Sequence, residues 1–72
     1  MDSDSWEFEV IDKHELRKLI PYSLSQLTRL EQQGLFPKRL KLGPSRVGWL
    51  ISEVYAWIEE KKTERDLAGQ SL

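Results

Sequence analysis

A basic cluster lies in the middle of this 72-residue chain. Four cationic side chains fall within nine residues that contain no acidic residue: Lys38, Arg39, Lys41 and Arg46. Lys and Arg bind nucleic acid by replacing the counterions condensed on its phosphates, so we predict phosphate contacts for Lys38, Arg39 and Lys41. Arg46 directly follows a Gly-Pro-Ser turn, and a cation at a hairpin tip fits the narrow, electronegative minor groove of DNA. The alternative is an ordinary solvated surface.

A second polar group precedes this cluster. On a helical wheel, Ser25, Gln26, Arg29 and Gln33 share one side, and three leucines fall within an arc of about 120° on the other side. Such side chains hydrogen-bond to base edges, with Arg suited to guanine and Gln to adenine. We therefore predict that these four residues contact the major groove. The alternative is a polar helix face that only keeps the protein soluble.

The charge is distributed unevenly along the chain. Residues 1–12 carry five acids and no base, residues 13–49 carry eight bases and two acids, and residues 50–72 carry five acids and three bases. The formal net charge of -1 therefore conceals a central segment of net charge +6. Local charge is a better indicator of a polyanionic partner than the total.

The composition argues against several classes of function. The chain has no cysteine, one histidine (His14) and no glycine-rich phosphate loop, so we expect no enzyme activity, cofactor, metal site or small-molecule substrate. The adjacent Glu59 and Glu60 point to different sides of a helix and form no acid-base pair. An acidic start and the lack of an apolar run of about 20 residues predict a cytoplasmic protein without membrane contact, and DNA binding would make it nucleoid-associated.

Two short helices are predicted to position the polar group. Asp12 and Glu15 have the spacing of a capping box, and Pro21 ends the first helix. Ser23 starts the second helix, and Gly34 ends it. Only two residues separate the first helix from the Ser23 cap, which is the spacing of a helix-turn-helix. The inward stripes are Leu16, Leu19 and Ile20 on the first helix and Leu24, Leu27 and Leu30 on the second.

A β-hairpin is predicted to carry the basic cluster. Residues 35–42 and 45–51 are short and rich in strand-forming residues, and Gly43-Pro44 marks a loop of about four residues between them. We expect Leu40, Leu42 and Trp49 to anchor the hairpin to the core. The aromatic residues Phe36, Trp49, Tyr55 and Trp57 are better explained by core packing than by base stacking.

A third helix is expected from Ser52, with Val54, Trp57 and Ile58 facing inward. The resulting organisation is an acidic extended lead-in over residues 1–10, a DNA-binding domain over residues 11–65 and a flexible tail over residues 66–72. Trp6, Phe8 and Val10 alternate with acidic residues. This pattern leaves open whether the lead-in contains a strand.

The ordered residues also resemble a known family. The relevant motifs are Ser23-Leu24-Ser25, Arg29, Gly34-Leu35-Phe36-Pro37, Lys41-Leu42-Gly43-Pro44, Val47-Gly48-Trp49, Glu53-Val54 and Trp57. Together they resemble the AlpA and excisionase-type small DNA-binding proteins of phages and mobile elements. The resemblance implies an α+β, MerR-like winged helix-turn-helix with about three helices and a two-stranded hairpin, the wing. It departs from the family at Pro21-Tyr22, where Thr-Gly is commoner, and at Thr28, where Tyr is commoner.

Three hypotheses about function follow. In the first, the protein is an excisionase, or recombination directionality factor, that bends attachment-site DNA and assists a tyrosine integrase in a bacterial or phage-infected cell. In the second, it is an AlpA-like transcriptional regulator of an integrase gene. In the third, it is a protein-interaction adaptor that uses its C-terminal tail and does not bind DNA. The expected partners are double-stranded DNA, a tyrosine integrase and neighbouring copies of the protein itself.

Overall fold

The computed structural model describes residues 8–70 as three helices and three short strands. In chain order these are β1 (Val10–Ile11), α1 (Lys13–Leu19), α2 (Leu24–Gln32), β2 (Leu40–Gly43), β3 (Arg46–Leu50) and α3 (Ile51–Gln70). This arrangement confirms the predicted α+β winged helix-turn-helix. Residues 1–7, including Trp6, lie outside the described part of the chain.

The sheet is antiparallel, with strand order β1-β3-β2. Val10 pairs with Leu50 on one side of β3, and Leu40 pairs with Gly48 on the other. Gly43 pairs with Arg46, so the hairpin loop is two residues long and not the four expected, and the pairing is irregular between Lys41 and Gly43. The third strand takes Val10 from the lead-in, whose conformation the sequence left open, and Ile11 from the segment that follows it.

Side-chain caps fix the starts of both short helices. The Asp12 carboxylate accepts from the Glu15 amide at 2.9 Å, and the Glu15 carboxylate accepts from the Asp12 amide at 3.3 Å, which confirms the capping box. Ser23 caps α2 as predicted, and the Gln26 side-chain oxygen accepts a second hydrogen bond from the Ser23 amide at 3.0 Å. Gly34 adopts a φ of 73°, the left-handed conformation expected after a helix.

The core is formed by one or two residues from almost every element. Its buried members are Ile11, Leu16, Ile20, Leu27, Phe36, Trp49 and Val54. Trp57 is partly buried and meets the Phe36 ring edge-on at a centroid distance of 5.0 Å. The core packing predicted for Phe36, Trp49 and Trp57 is confirmed, whereas Tyr55 is exposed.

The wing contacts the core through only one of its two strands. Leu40 and Leu42 are 36% and 52% exposed, so the prediction that they anchor the hairpin is wrong, whereas Trp49 is fully buried as expected. Alternate residues of a strand share a face, and neither face of β2 is buried. β2 also begins at Leu40, later than predicted, so Lys38 and Arg39 precede the strand. The inward positions predicted for Leu19 on α1 and Leu24 on α2 are also wrong, because both residues are exposed.

The third helix is longer than the sequence suggested. It starts at Ile51, directly after β3, and the Ile51 amide donates to the Glu9 carbonyl at 2.8 Å. It continues to Gln70, so residues 66–70, predicted to be part of a tail, are helical. Val54 is buried, and Trp57 and Ile58 are partly buried as expected. Residues 59–69 are exposed, so the second half of α3 extends away from the core.

Candidate nucleic-acid interface

Helix α2 presents the polar face that the sequence predicts. Ser25, Gln26 and Arg29 on the helix, and Gln33 at its C-cap, are all exposed. The opposite side is held down by Leu27 and Glu31, which are both buried. Because the Gln26 side-chain oxygen accepts from the Ser23 amide, the Gln26 NH₂ group, and not its oxygen, is the part of the amide left to donate a hydrogen bond.

Helix α1 adds basic residues that the predicted site omitted. Lys13, His14 and Arg17 line a cleft with Leu24 and Leu27, beside the start of α2. In helix-turn-helix proteins the first helix crosses the DNA backbone. The signal was present in the sequence, since Lys13 and Arg17 lie outside the apolar stripe of their helix.

The wing places its two exposed cations on different strands. Lys41 lies on β2, and Arg46 is the first residue of β3. Arg46 and Ser45 border a cleft whose other wall includes Asp12, Lys13 and His14. The tip of the wing therefore lies beside the start of α1, so Lys13 and Arg46 border the same cleft.

Lys38 and Arg39 are neighbours in sequence but differ in their surroundings. Lys38 is exposed and lines a groove with Thr28 and Gln32, next to the outer side of α2. Arg39 is partly buried, and its Nε donates to both Glu31 carboxylate oxygens, at 3.0 and 3.3 Å. The phosphate contact predicted for Lys38 thus fits an exposed side chain. The one predicted for Arg39 concerns a guanidinium that is already paired within the protein.

Glu31 is the residue whose role the sequence did not reveal. It is only 8% exposed and accepts from the Trp49 indole Nε1 at 3.1 Å as well as from Arg39. The helical wheel places Glu31 beside the apolar stripe, but its two partners come 8 and 18 residues later in the chain. Burial of a carboxylate requires such partners, and local pattern cannot supply them.

The charges on α3 partly pair with each other. Lys61 Nζ lies 3.5 Å from Glu64 Oε1, and Arg65 Nη2 lies 3.0 Å from Asp66 Oδ1. Lys61 also sits over the Trp57 ring at 5.3 Å. Within residues 8–70, no three acidic or histidine side chains converge as metal ligands, and no helix is long and apolar enough to cross a membrane.

The chain combines three helices with a small antiparallel sheet. Its second helix is capped and has an exposed polar face, as in winged-helix DNA-binding proteins. The model of one protein family, described as prophage CP4-57 regulatory protein (AlpA), matches residues 11–63. This match covers well over half of the chain, which therefore belongs to the AlpA family of regulatory DNA-binding proteins. A comparison with curated proteins gave no significant match.

Proposed function

We propose that this AlpA-family protein is an excisionase that binds attachment-site DNA, bends it and assists a tyrosine integrase in excision. Ser25, Gln26, Arg29 and Gln33 read the major groove. Arg46 enters the minor groove, and Lys38 and Lys41 contact phosphate. The exposed Lys13 and Arg17 extend the phosphate contacts along α1. Arg39 is not among these contacts, because its guanidinium is paired with Glu31.

The observation that carries this proposal is the presence of two exposed DNA-directed elements on one scaffold. Helix α2 offers donors and acceptors for bases, and the wing offers a cation at a narrow tip. Proteins that insert side chains into the minor groove frequently bend the duplex, and bent DNA permits additional contacts. An architectural role of this kind needs no catalytic group.

A regulatory role is the second candidate, and the family description favours it. The matching family is described as a prophage regulatory protein. In this role the chain binds a promoter through the same surface and controls transcription of an integrase gene. The adaptor hypothesis loses support, because the family is one of DNA-binding proteins.

An excision assay separates the two DNA-binding roles. Purified cognate integrase is incubated with attachment-site DNA, with and without this protein, and recombinant product is quantified. Excisionase activity predicts strong stimulation by the wild type and little by Arg29→Ala. A wild type that footprints the integrase promoter and changes its transcription, but leaves excision unchanged, would identify the regulator.

Several copies are proposed to act side by side, because a domain this small makes few base contacts. The acidic residues 1–12 of one copy would meet the basic centre of the next, a proposal that rests on their opposite charges. Gel shifts on DNA with one, two and three adjacent sites test it. We expect cooperative binding, and we expect the cooperativity to weaken when Asp2, Asp4 and Glu7 are replaced by Asn, Asn and Gln. Equal affinities for each successive site would contradict this proposal.

A further inference from the structure

The side chain of Glu31 joins three separate parts of the molecule. Glu31 lies in α2, Arg39 immediately precedes β2, and Trp49 lies in β3. Arg39 donates from Nε to both carboxylate oxygens and from Nη2 to Oε2 at 3.2 Å, and Trp49 Nε1 donates to the same Oε2 at 3.1 Å. One carboxylate thus links α2 to β3 and to the residue that immediately precedes β2.

The arginine fixes orientation as well as distance. Its Nη2 also donates to Thr28 Oγ1 at 3.0 Å, and its guanidinium carbon lies 5.2 Å from the centroid of the Trp49 ring. Thr28 and Glu31 are three residues apart on α2, so the planar guanidinium spans about one turn of the helix. A contact made at two heights along one face of a helix resists tilting of the helix axis relative to the element that makes the contact.

Apolar packing alone does not give such directional control. Leu27 and Trp49 are buried, but the free energy gained by burying apolar surface is non-directional. Hydrogen bonds weaken steeply with misalignment, so the bonds among Thr28, Glu31, Arg39 and Trp49 discriminate between orientations. These four residues are called the α2–wing network below.

We infer that Glu31 and Arg39 are positioning residues for DNA binding. The α2–wing network sets the angle between α2 and the wing, so that the bases facing Arg29 and the groove facing Arg46 are reached at the same time. This inference rests on the proposed function, because it assumes that both elements contact one duplex. It also reassigns Arg39 from a phosphate contact to an internal one.

A double-mutant cycle tests the coupling. The probe is a duplex enriched by the wild-type protein from a randomised pool, and Kd is measured for Arg46→Ala in the wild-type and Glu31→Gln backgrounds. We expect Arg46→Ala to weaken wild-type binding roughly tenfold and Glu31→Gln binding less than about threefold, because the wing is no longer held in register. An equal loss in both backgrounds would overturn the inference.

The cycle distinguishes positioning from simple stabilisation. A variant that only lowers the folded fraction raises Kd by the same factor with or without Arg46, so that its effect cancels. The folded fraction of each variant is checked by circular dichroism, and the Trp49 indole N–H signal in NMR reports loss of the bond to Glu31. Thr28→Ala, which removes one acceptor of Arg39 at an exposed position, provides a milder second background with a smaller coupling of the same sign.

Adjacent cations provide a matched comparison. Lys38→Met and Arg39→Met remove the same charge from consecutive positions. Lys38→Met should reduce the slope of log K against log salt by about 0.9, the value for one phosphate contact. Arg39→Met should abolish the effect of Arg46→Ala and, when the slope is compared in the Arg46→Ala background, should leave it nearly unchanged. An equal reduction in slope, with the Arg46 effect retained, would instead make Arg39 a phosphate contact.

The two levels of proposal fail in different ways. If the wild type shows no salt-dependent affinity for duplex DNA, the proposed function is wrong and the positioning role falls with it. If the wild type binds and Arg46→Ala weakens binding equally in every background, only the positioning role is wrong. Lys62→Met, an exposed cation on the outer half of α3, serves as the control that should change neither affinity nor coupling.

Discussion

Helix α2 and the outer strand of the wing, β2, differ in how firmly they are attached to the core. Helix α2 is capped at its start, ended by Gly34, and anchored by Leu27 and Glu31. All four residues of strand β2 are exposed, and the strand depends on its pairing with β3. The difference indicates that the small core fixes α2, the helix proposed to read bases. The strand proposed to carry a phosphate contact tolerates a looser attachment, because a phosphate contact demands less geometric accuracy than a base contact.

The largest contrast is expected between the apolar residues of these two regions. Leu27→Ala should lower the free energy of unfolding by about 2–5 kcal/mol, because it leaves a cavity beneath α2. Leu42→Ala on β2 should cost about 1 kcal/mol or less, since Leu42 is 52% exposed. Guanidinium chloride denaturation followed by circular dichroism measures both. Similar losses would mean that the wing is packed as tightly as the helix.

Two glycines of the wing sharpen the contrast between its strands. A Cβ at Gly48 on β3 would lie 2.5 Å from Val10 Cγ1 and 3.1 Å from the Ile11 carbonyl oxygen. Gly48→Ala should therefore destabilise the protein by about 1–3 kcal/mol. At Gly43 the nearest atom would be 4.0 Å away, so Gly43→Ala should change the midpoint of thermal unfolding very little. Equal midpoints for the two variants would show that β1 and β3 separate easily.

Base reading by α2 is expected to depend on Arg29. Arg29→Ala should weaken binding to the selected duplex by about 1–3 kcal/mol and should scarcely affect a scrambled duplex. Fluorescence anisotropy with both probes measures the ratio. A uniform loss on both duplexes would place Arg29 on phosphate and transfer specificity to another element.

The smallest effect belongs to β2. Lys41→Ala should weaken binding to all sequences alike and reduce the salt slope by about 0.9. Titrations at three or more salt concentrations on specific and scrambled DNA check this. A loss confined to the specific duplex would contradict the division of roles between helix and strand.

Features that depend on neighbouring residues could be predicted from the sequence. Asp12 with Glu15, the Ser23 cap and Gly34 each act within three or four residues, and all occur as expected. The spacing between the two short helices predicted a helix-turn-helix for the same reason. The arrangement of the polar side chains on α2 also follows from helical periodicity alone.

Features that depend on distant partners could not be predicted. Leu40 and Leu42 have the composition of core residues, but no local pattern shows whether another element covers their strand. Glu31 resembles a surface residue until Arg39 and Trp49 are placed against it. The third strand pairs Val10 with Leu50, forty residues later, and the lead-in alone does not specify that contact.

The exposed β2 strand has a further consequence, for solubility. Its outer backbone groups and its two exposed leucines form a sheet edge of the kind that can pair with a second molecule and start aggregation. Three features oppose this: the strand is only four residues long, Lys41 separates the leucines, and the irregular pairing near Gly43 interrupts the ladder. Lys41, which is proposed to contact phosphate, is therefore also expected to oppose self-association when DNA is absent.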